Sequence, residues 1–272
     1  MGLRVNTNVF SLNAQRNLQN TSDRLQGNFA RLSSGLRIAT AADDAAGLGI
    51  SERMRSQIRS FSVNMRNTQD GLSLAQTAEG ALNEVSNNLT RMRELAIQSS
   101  NGTLSSADRA VIDTEFQALI TEIGRVADET TFNDIQLLDG TSSSVDIQVG
   151  ADSGQSIAVD LEDVSTATLG ISSLAADSAT NASSALATID AAIDTVNTSR
   201  GNLGAAQNRL MSAYRSISNT RENLSAAESR IRDVDVASET ADLTRNTIMQ
   251  QAAVSILSQA NVQPQLALSL LG

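Results

Sequence analysis

Histidine, cysteine, tryptophan and lysine are all missing from this chain of 272 residues, and proline occurs once, at Pro264. Each absence removes a chemistry. Without histidine there is no imidazole for acid–base work or zinc, and without cysteine no thiolate ligand and no disulfide. Without lysine there is no Schiff base and no phosphate-loop lysine. The chain has no apolar run of about 18 residues, so no membrane span is expected. Residues 1–10 lack a signal-peptide core, so export, if it occurs, is expected to take another route. Aromatics are scarce: Phe10, Phe29, Phe61, Phe116, Phe132 and Tyr214 are all of them. Alanine and small polar residues take the space, which suits closely packed long helices.

The net charge of −10 is unevenly placed. Residues 126–199 hold twelve acids and no base, which leaves 18 acids against 20 arginines in the remainder. An acidic middle predicts a solvated surface, and near-neutral flanks predict surfaces that pack. No basic patch is interleaved with aromatics, which argues against nucleic acid.

What is present is periodicity. Leu203, Ala206, Leu210, Ala213, Ile217, Thr220, Leu224, Ala227, Ile231 and Val234 alternate three and four, and only Thr220 is polar. Residues 3.5 apart on average stay on one line of a supercoiled helix, so this is a coiled-coil seam. It is roughly 48 Å long and too narrow to bury itself alone. Leu18, Ser22, Leu25, Phe29, Leu32 and Leu36 form a second heptad line, predicting a helix over about residues 11–34 that Ser33-Ser34-Gly35 breaks.

Asp43 and Asp44 precede another helical pattern running from about 45 to 100, with an interruption expected near Asp70-Gly71. The paired acids fit a helix start better than a metal site, because no further ligands accompany them. In this stretch Leu74, Ala78, Ala81, Val85, Met92 and Leu95 make one seam, widened by Leu72, Leu82, Leu89 and Ala96. A stripe that broad touches more than one neighbour. Ser105 and Asp108 have capping-box spacing, ahead of a helix with Ile112, Phe116, Leu119, Ile123 and Val126 on one line. Two alternating stretches, 144–150 and 156–161, flank an Asp/Gly-bearing connection and predict a β-hairpin. Residues 162–184 read as loop. The final amphipathic stretch, about 239–260, carries Leu243, Val254 and Leu257, and Pro264 is expected to end it. Leu266, Leu268, Leu270 and Leu271 leave an apolar tail that makes sense if an assembly buries it. The pattern as a whole predicts a mainly α fold: a long antiparallel helical coiled-coil or bundle rod with a small β-hairpin region, its N- and C-terminal helices paired.

The chain also resembles a known family end to end. The blocks are Val5-Asn6-Thr7-Asn8, Arg31-Leu32-Ser33-Ser34-Gly35-Leu36, Asp43-Asp44-Ala45-Ala46-Gly47-Leu48, Arg91-Met92-Arg93-Glu94-Leu95-Ala96, Leu137-Leu138-Asp139-Gly140, Gln148-Val149-Gly150-Ala151 and Pro264-Gln265 with Leu270-Leu271. In this order they are those of bacterial flagellin, in a short form without outer domains. Departures are Ala39, Ala42 and Asp134, where the family commonly has Asn, Lys and Gly.

The resemblance implies a structural subunit of the flagellar filament, not an enzyme, with no cofactor and no metal. It implies an inner-tube domain built from residues 1–42 and 236–272. A rod domain is implied for 43–175, with the hairpin near 144–161, and for 176–235. Subunit packing is expected of Leu18, Leu25, Phe29, Leu32, Leu210, Ile217, Leu224, Ile231, Leu243, Val254 and Leu257. Expected partners are further copies of the chain, a secretion chaperone holding about 243–271, the filament cap and hook-junction proteins. The expected location is the extracellular flagellum, reached by type III export. Arg91, Leu95 and Glu115 match residues by which some flagellins contact the vertebrate flagellin-sensing Toll-like receptor, although subunit packing is their primary expected role.

A hook–filament junction protein is the near alternative, since it shares the end motifs, but the central blocks favour flagellin. A hydrolase using Asp233 with Asp235, or Asp43 with Asp44, would need a carboxyl in a pocket that raises its pKa. A membrane-surface helix would need a basic polar face that the C-terminal helix lacks.

Overall fold

The computed structural model describes the backbone of residues 7–269 and the side chains of residues 7–262. Of the expected apolar tail, Leu270 and Leu271 lie outside the described residues, as do the side chains of Leu266 and Leu268. The described chain runs α1 (Val9–Ser34), α2 (Ala45–Ser99), α3 (Ser106–Glu129), β1 (Thr131–Phe132), β2 (Ile135–Gln136), β3 (Ser144–Gln148), β4 (Ser156–Asp160), α4 (Ala179–Arg232) and α5 (Val236–Ser269). It forms two compact units: Met1–Ser56 with Asn223–Gly272, and Gln57–Glu222.

The 57–222 unit holds nearly all of the buried apolar side chains. Its core joins Leu82, Leu89, Met92 and Leu95 of α2 to Phe116 and Ile123 of α3 and to Ile189, Val196, Leu203 and Leu210 of α4. Both stripes expected on α2 are used, which is why the helix has two neighbours. Arg93 bridges to Asp190 at 2.7 Å on the α4 side, and Arg91 to Glu115 at 2.9 Å on the α3 side. On α4 the seam extends earlier than expected. Ala182, Ala185, Ile189, Ala192, Val196 and Ser199 continue the three–four spacing back from Leu203, and all are buried. The helix therefore begins inside the stretch read as loop.

On α3 the buried line is Ile112, Phe116, Ile120, Ile123 and Ala127 rather than the expected one through Leu119 and Val126. A straight helix repeats every 3.6 residues and drifts off a heptad line, so the core shifts by one residue midway. Ser105 and Asp108 do form the capping box at its start.

Two expected helix boundaries are corrected. No break occurs at Asp70-Gly71, where α2 is continuous. Gly71 serves packing instead: a Cβ built there would meet Ile147 Cγ1 of β3 at 2.7 Å. Nor does Pro264 end α5, which continues to Ser269.

The hairpin pairs β3 with β4, placing Ile147 opposite Ile157. A second, tighter hairpin joins β1 to β2 through Asn133 and Asp134, both at positive φ (50° and 63°). Residues 161–178 lack regular structure for the most part but are anchored: Val164, Leu169, Ile171 and Ala176 are buried. Asp163 feels burial, which raises its pKa, yet hydrogen bonds from Thr168 and Ser165 outweigh it and hold the carboxyl below its ordinary value.

Candidate functional site

In the other unit α1 and α5 pair, and their polar contacts fix the direction. Asn8 Nδ2 donates to the Ala260 carbonyl at 2.7 Å, and Ser11 Oγ to Asn261 Oδ1 at 2.9 Å. Near the other end of α1, Asn28 Oδ1 accepts from Asn246 Nδ2 at 2.8 Å, and Asn28 Nδ2 donates to Glu239 Oε1 at 2.5 Å. Rising positions on α1 meet falling positions on α5, so the helices are antiparallel. Polar pairs inside a helix seam weaken it but fix its register, because any slip leaves a donor or acceptor unpaired.

The links beside this pair are tied to each other. Gly35 ends α1 at φ 71°, a conformation glycine adopts without strain. Leu36 and Asp233 then form an antiparallel bridge, with Val234 N donating to the Gly35 carbonyl at 3.0 Å and Arg37 N to the Arg232 carbonyl at 2.6 Å. Ile38 is buried beneath, and a Cβ on Gly47 would collide with it at 2.8 Å. Arg232 reaches Glu52 at 2.7 Å, and that hydrogen bond leads in lowering the Glu52 pKa.

All four candidate acids are engaged in chain geometry. Asp43 accepts from the Thr40 and Ala39 amides and the Thr40 hydroxyl. Its pKa is lowered, led by the Thr40 amide. Asp44 caps α2 through Gly47 N, Asp235 caps α5 through Ala237 N, and Asp233 lies in the bridge. For Asp43 this is the opposite of the raised pKa that acid catalysis needs.

Among the described residues few apolar side chains in this unit are buried: Ala14, Leu25, Ile38 and Ala260. Leu18, Leu32, Leu224, Ile231, Leu243 and Leu257 are half-buried. Phe29 is 59 % exposed and Val254 52 %, and Val9, Phe10, Leu12, Ile248, Met249 and Ile256 are also exposed. By contrast Leu210 and Ile217 are buried in the 57–222 unit. A helix pair with so much apolar surface facing water is a surface for association.

The three candidate receptor residues separate. Arg91 is held between Glu115 and Glu94, each at 2.9 Å, and its pKa is raised chiefly by Glu115. Both Arg91 and Glu115 are exposed, whereas Leu95 is only 2 % exposed and belongs to the core. A ligand on this patch meets the Arg91–Glu115 pair.

Sequence reading missed Asn8, Asn28 and Glu239. Asn8 had a signal, a capping residue just ahead of an apolar-periodic run. Asn28 and Glu239 had none, because their pairing spans 211 residues.

Comparison with known proteins agrees with this architecture. The model of the bacterial flagellin N-terminal helical region matches residues 5–143, and that of the C-terminal helical region residues 186–271. A flagellin of Halalkalibacterium halodurans is 50 % identical over 269 residues, covering 98 % of this chain and 99 % of that one. A flagellar filament 30.7 kDa core protein of Treponema maltophilum is 41 % identical over 282 residues, covering 98 % and 99 %. The crystal structure of Bacillus cereus flagellin superposes with a TM-score of 0.52 at 33 % identity, covering 60 % of this chain and 94 % of that one. From its first matched block to its last, this chain belongs to the bacterial flagellin family.

Proposed function

We propose that the chain is a structural subunit that polymerises, through α1, α5 and the helices of the 57–222 unit, into the flagellar filament used for swimming. One observation carries this reading: the unit built from the termini leaves many of its large apolar side chains in water, while the 57–222 unit buries most of its own. Burying one such side chain contributes about 1.5–3 kcal/mol. Several per subunit sustain a polymer of many weak copies.

In this reading residues 1–42 and 236–272 form an inner-tube domain, and residues 43–175 and 176–235 a rod domain. The polymer is extracellular, and the chain acts there as a scaffold rather than an enzyme. Among the described residues no helix is long and apolar enough to cross a membrane. A chaperone covering about 243–271 before export would shield Ile248, Met249, Val254 and Ile256, and the cap and hook-junction proteins would meet the same helices at the filament ends. Contact with the flagellin-sensing Toll-like receptor falls to Arg91 and Glu115, with Leu95 supporting them from below. An Arg91→Ala, Leu95→Ala chain that signals as strongly as the unaltered one would sink that part.

The test of assembly is electron microscopy of purified monomer before and after seeding with filament fragments. A sample trimmed to residues 43–235 runs beside it. Filaments from the whole chain and none from the trimmed one are expected. A whole chain that stays monomeric, with protease-resistant ends, contradicts the reading and favours a junction protein.

A further inference from the structure

Val111 is the most exposed large apolar side chain among the described residues, at 72 %. The fold gives it no partner. On α3, Asp108 stands one turn before it and Glu115 one turn after, a spacing that puts both carboxylates on its face. Glu94 joins the patch through Arg91, so three carboxylates share this surface with two guanidinium groups, those of Arg91 and of Arg109, which acts on Asp108.

The same compact unit carries an apolar hollow of about 220 Å³ between α2 and α4. Leu72, Leu210, Met211 and Tyr214 line it together with Thr68 and Gln69. Arg66 lies one turn before Gln69 and Arg215 one turn after Met211; both are exposed, with Asp70 beside them. The hollow is apolar with a net basic rim, and the knob is apolar with a net acidic one.

The knob cannot fill the hollow of its own chain. The Arg91–Glu115 pair sets Val111 beside the last turns of α2, level with about Leu95. Leu72 lies roughly 35 Å earlier along that helix at 1.5 Å per residue.

We propose that in the assembled polymer Val111 of one copy seats in the Leu72–Met211–Tyr214 hollow of a neighbouring copy, with Asp108 and Glu115 facing Arg66 and Arg215. Knob and hollow stand at different levels of one subunit, so parallel copies make a heterologous contact, the kind that repeats along a polymer. The inference rests on the filament reading and adds the contact that aligns the 57–222 units.

The sequence makes the test clean, because it has no cysteine and a single tyrosine. Val111→Cys and Met211→Cys chains are mixed, polymerised on seeds and oxidised. A disulfide-linked dimer holding one chain of each kind is expected, at least tenfold above a control mixture of Val63→Cys with Met211→Cys. In the unaltered chain, nitration of Tyr214 by tetranitromethane is expected to slow at least tenfold on polymerisation. This second measurement decides the matter if the cysteine chains fail to polymerise. Filaments whose Tyr214 nitrates at the monomer rate, or whose 111–211 disulfide stays at the control level, overturn the proposal and leave the filament reading standing. An unaltered chain that forms no filaments overturns both.

Discussion

Asn8 donates its side-chain amide to the carbonyl of Ala260 at 2.7 Å, and that carbonyl is the one Pro264 leaves without a helical partner. Proline has no N–H to give to the residue four positions back, which ordinarily breaks a helix. Here α1 supplies the missing donor and α5 runs on to Ser269.

Asn8 also caps α1, its Oδ1 accepting from Ser11 N at 3.1 Å. Asn8→Asp keeps the acceptor and removes the donor. We expect it to weaken the end of α5 by about 1 kcal/mol, read as faster amide hydrogen exchange over residues 255–269. In a Pro264→Ala background residue 264 bonds the Ala260 carbonyl itself, and the effect should fall by more than half. An equal effect in both backgrounds would disprove the link.

Gly71 and Ile147 are coupled. Gly71→Ala gains about 1 kcal/mol of helix propensity. It also drives a methyl group to 2.7 Å from Ile147 Cγ1, and overpacking costs about 1–3 kcal/mol. Gly71→Ala should therefore destabilise the unaltered chain and stabilise an Ile147→Ala chain. Denaturant unfolding of the four chains in the cycle checks the change of sign.

Asp134 occupies a left-handed position, φ 63°, in the two-residue turn between β1 and β2. Glycine suits the second position of such a turn better than any L-residue. Asp134→Gly should raise stability by about 0.5–1 kcal/mol, measured by denaturant unfolding. A loss of stability would show that the Asp134 side chain contributes more than its backbone strain costs.

Asp43 makes the α1–α2 link sensitive to acid. Its folded pKa lies below the ordinary 3.8, mainly through the Thr40 amide. A lowered carboxylate stabilises the fold fully above its unfolded pKa and loses that contribution as pH falls through the folded value. Exchange protection over residues 36–44 should thus be constant above about pH 5 and drop only below the ordinary value. An Asp43→Asn chain should differ from the unaltered one by a constant amount near neutrality, and the two should converge in strong acid.

How far the fold is legible in the sequence depends on whether a signal is local. The seam through Leu203, Leu210 and Ile217 is legible because its spacing is local and unbroken, and the capping box at Ser105 is legible for the same reason. Gly71 and Pro264 mislead because both break helices by local propensity, and the groups that overrule them, Ile147 and Asn8, lie 76 and 256 positions away. The α3 stripe is off by one because a straight helix drifts away from a heptad line. At the assembly surface the apolar line of α1 is legible, but periodicity does not tell which of its members face α5 and which face water. Leu25 and Phe29 sit on one line, and only the first is buried.

The central claim is that the exposed flank of the α1–α5 pair exists to be covered by other copies. The direct measurement is the critical concentration for seeded growth of a Phe29→Ser, Val254→Ser, Ile256→Ser chain. These side chains are exposed in the monomer, so its thermal unfolding should change little. Losing three burials of about 1.5–3 kcal/mol each should raise the critical concentration at least about 100-fold, since 1.4 kcal/mol is a factor of ten. A critical concentration within about twofold of the unaltered chain's would contradict the claim.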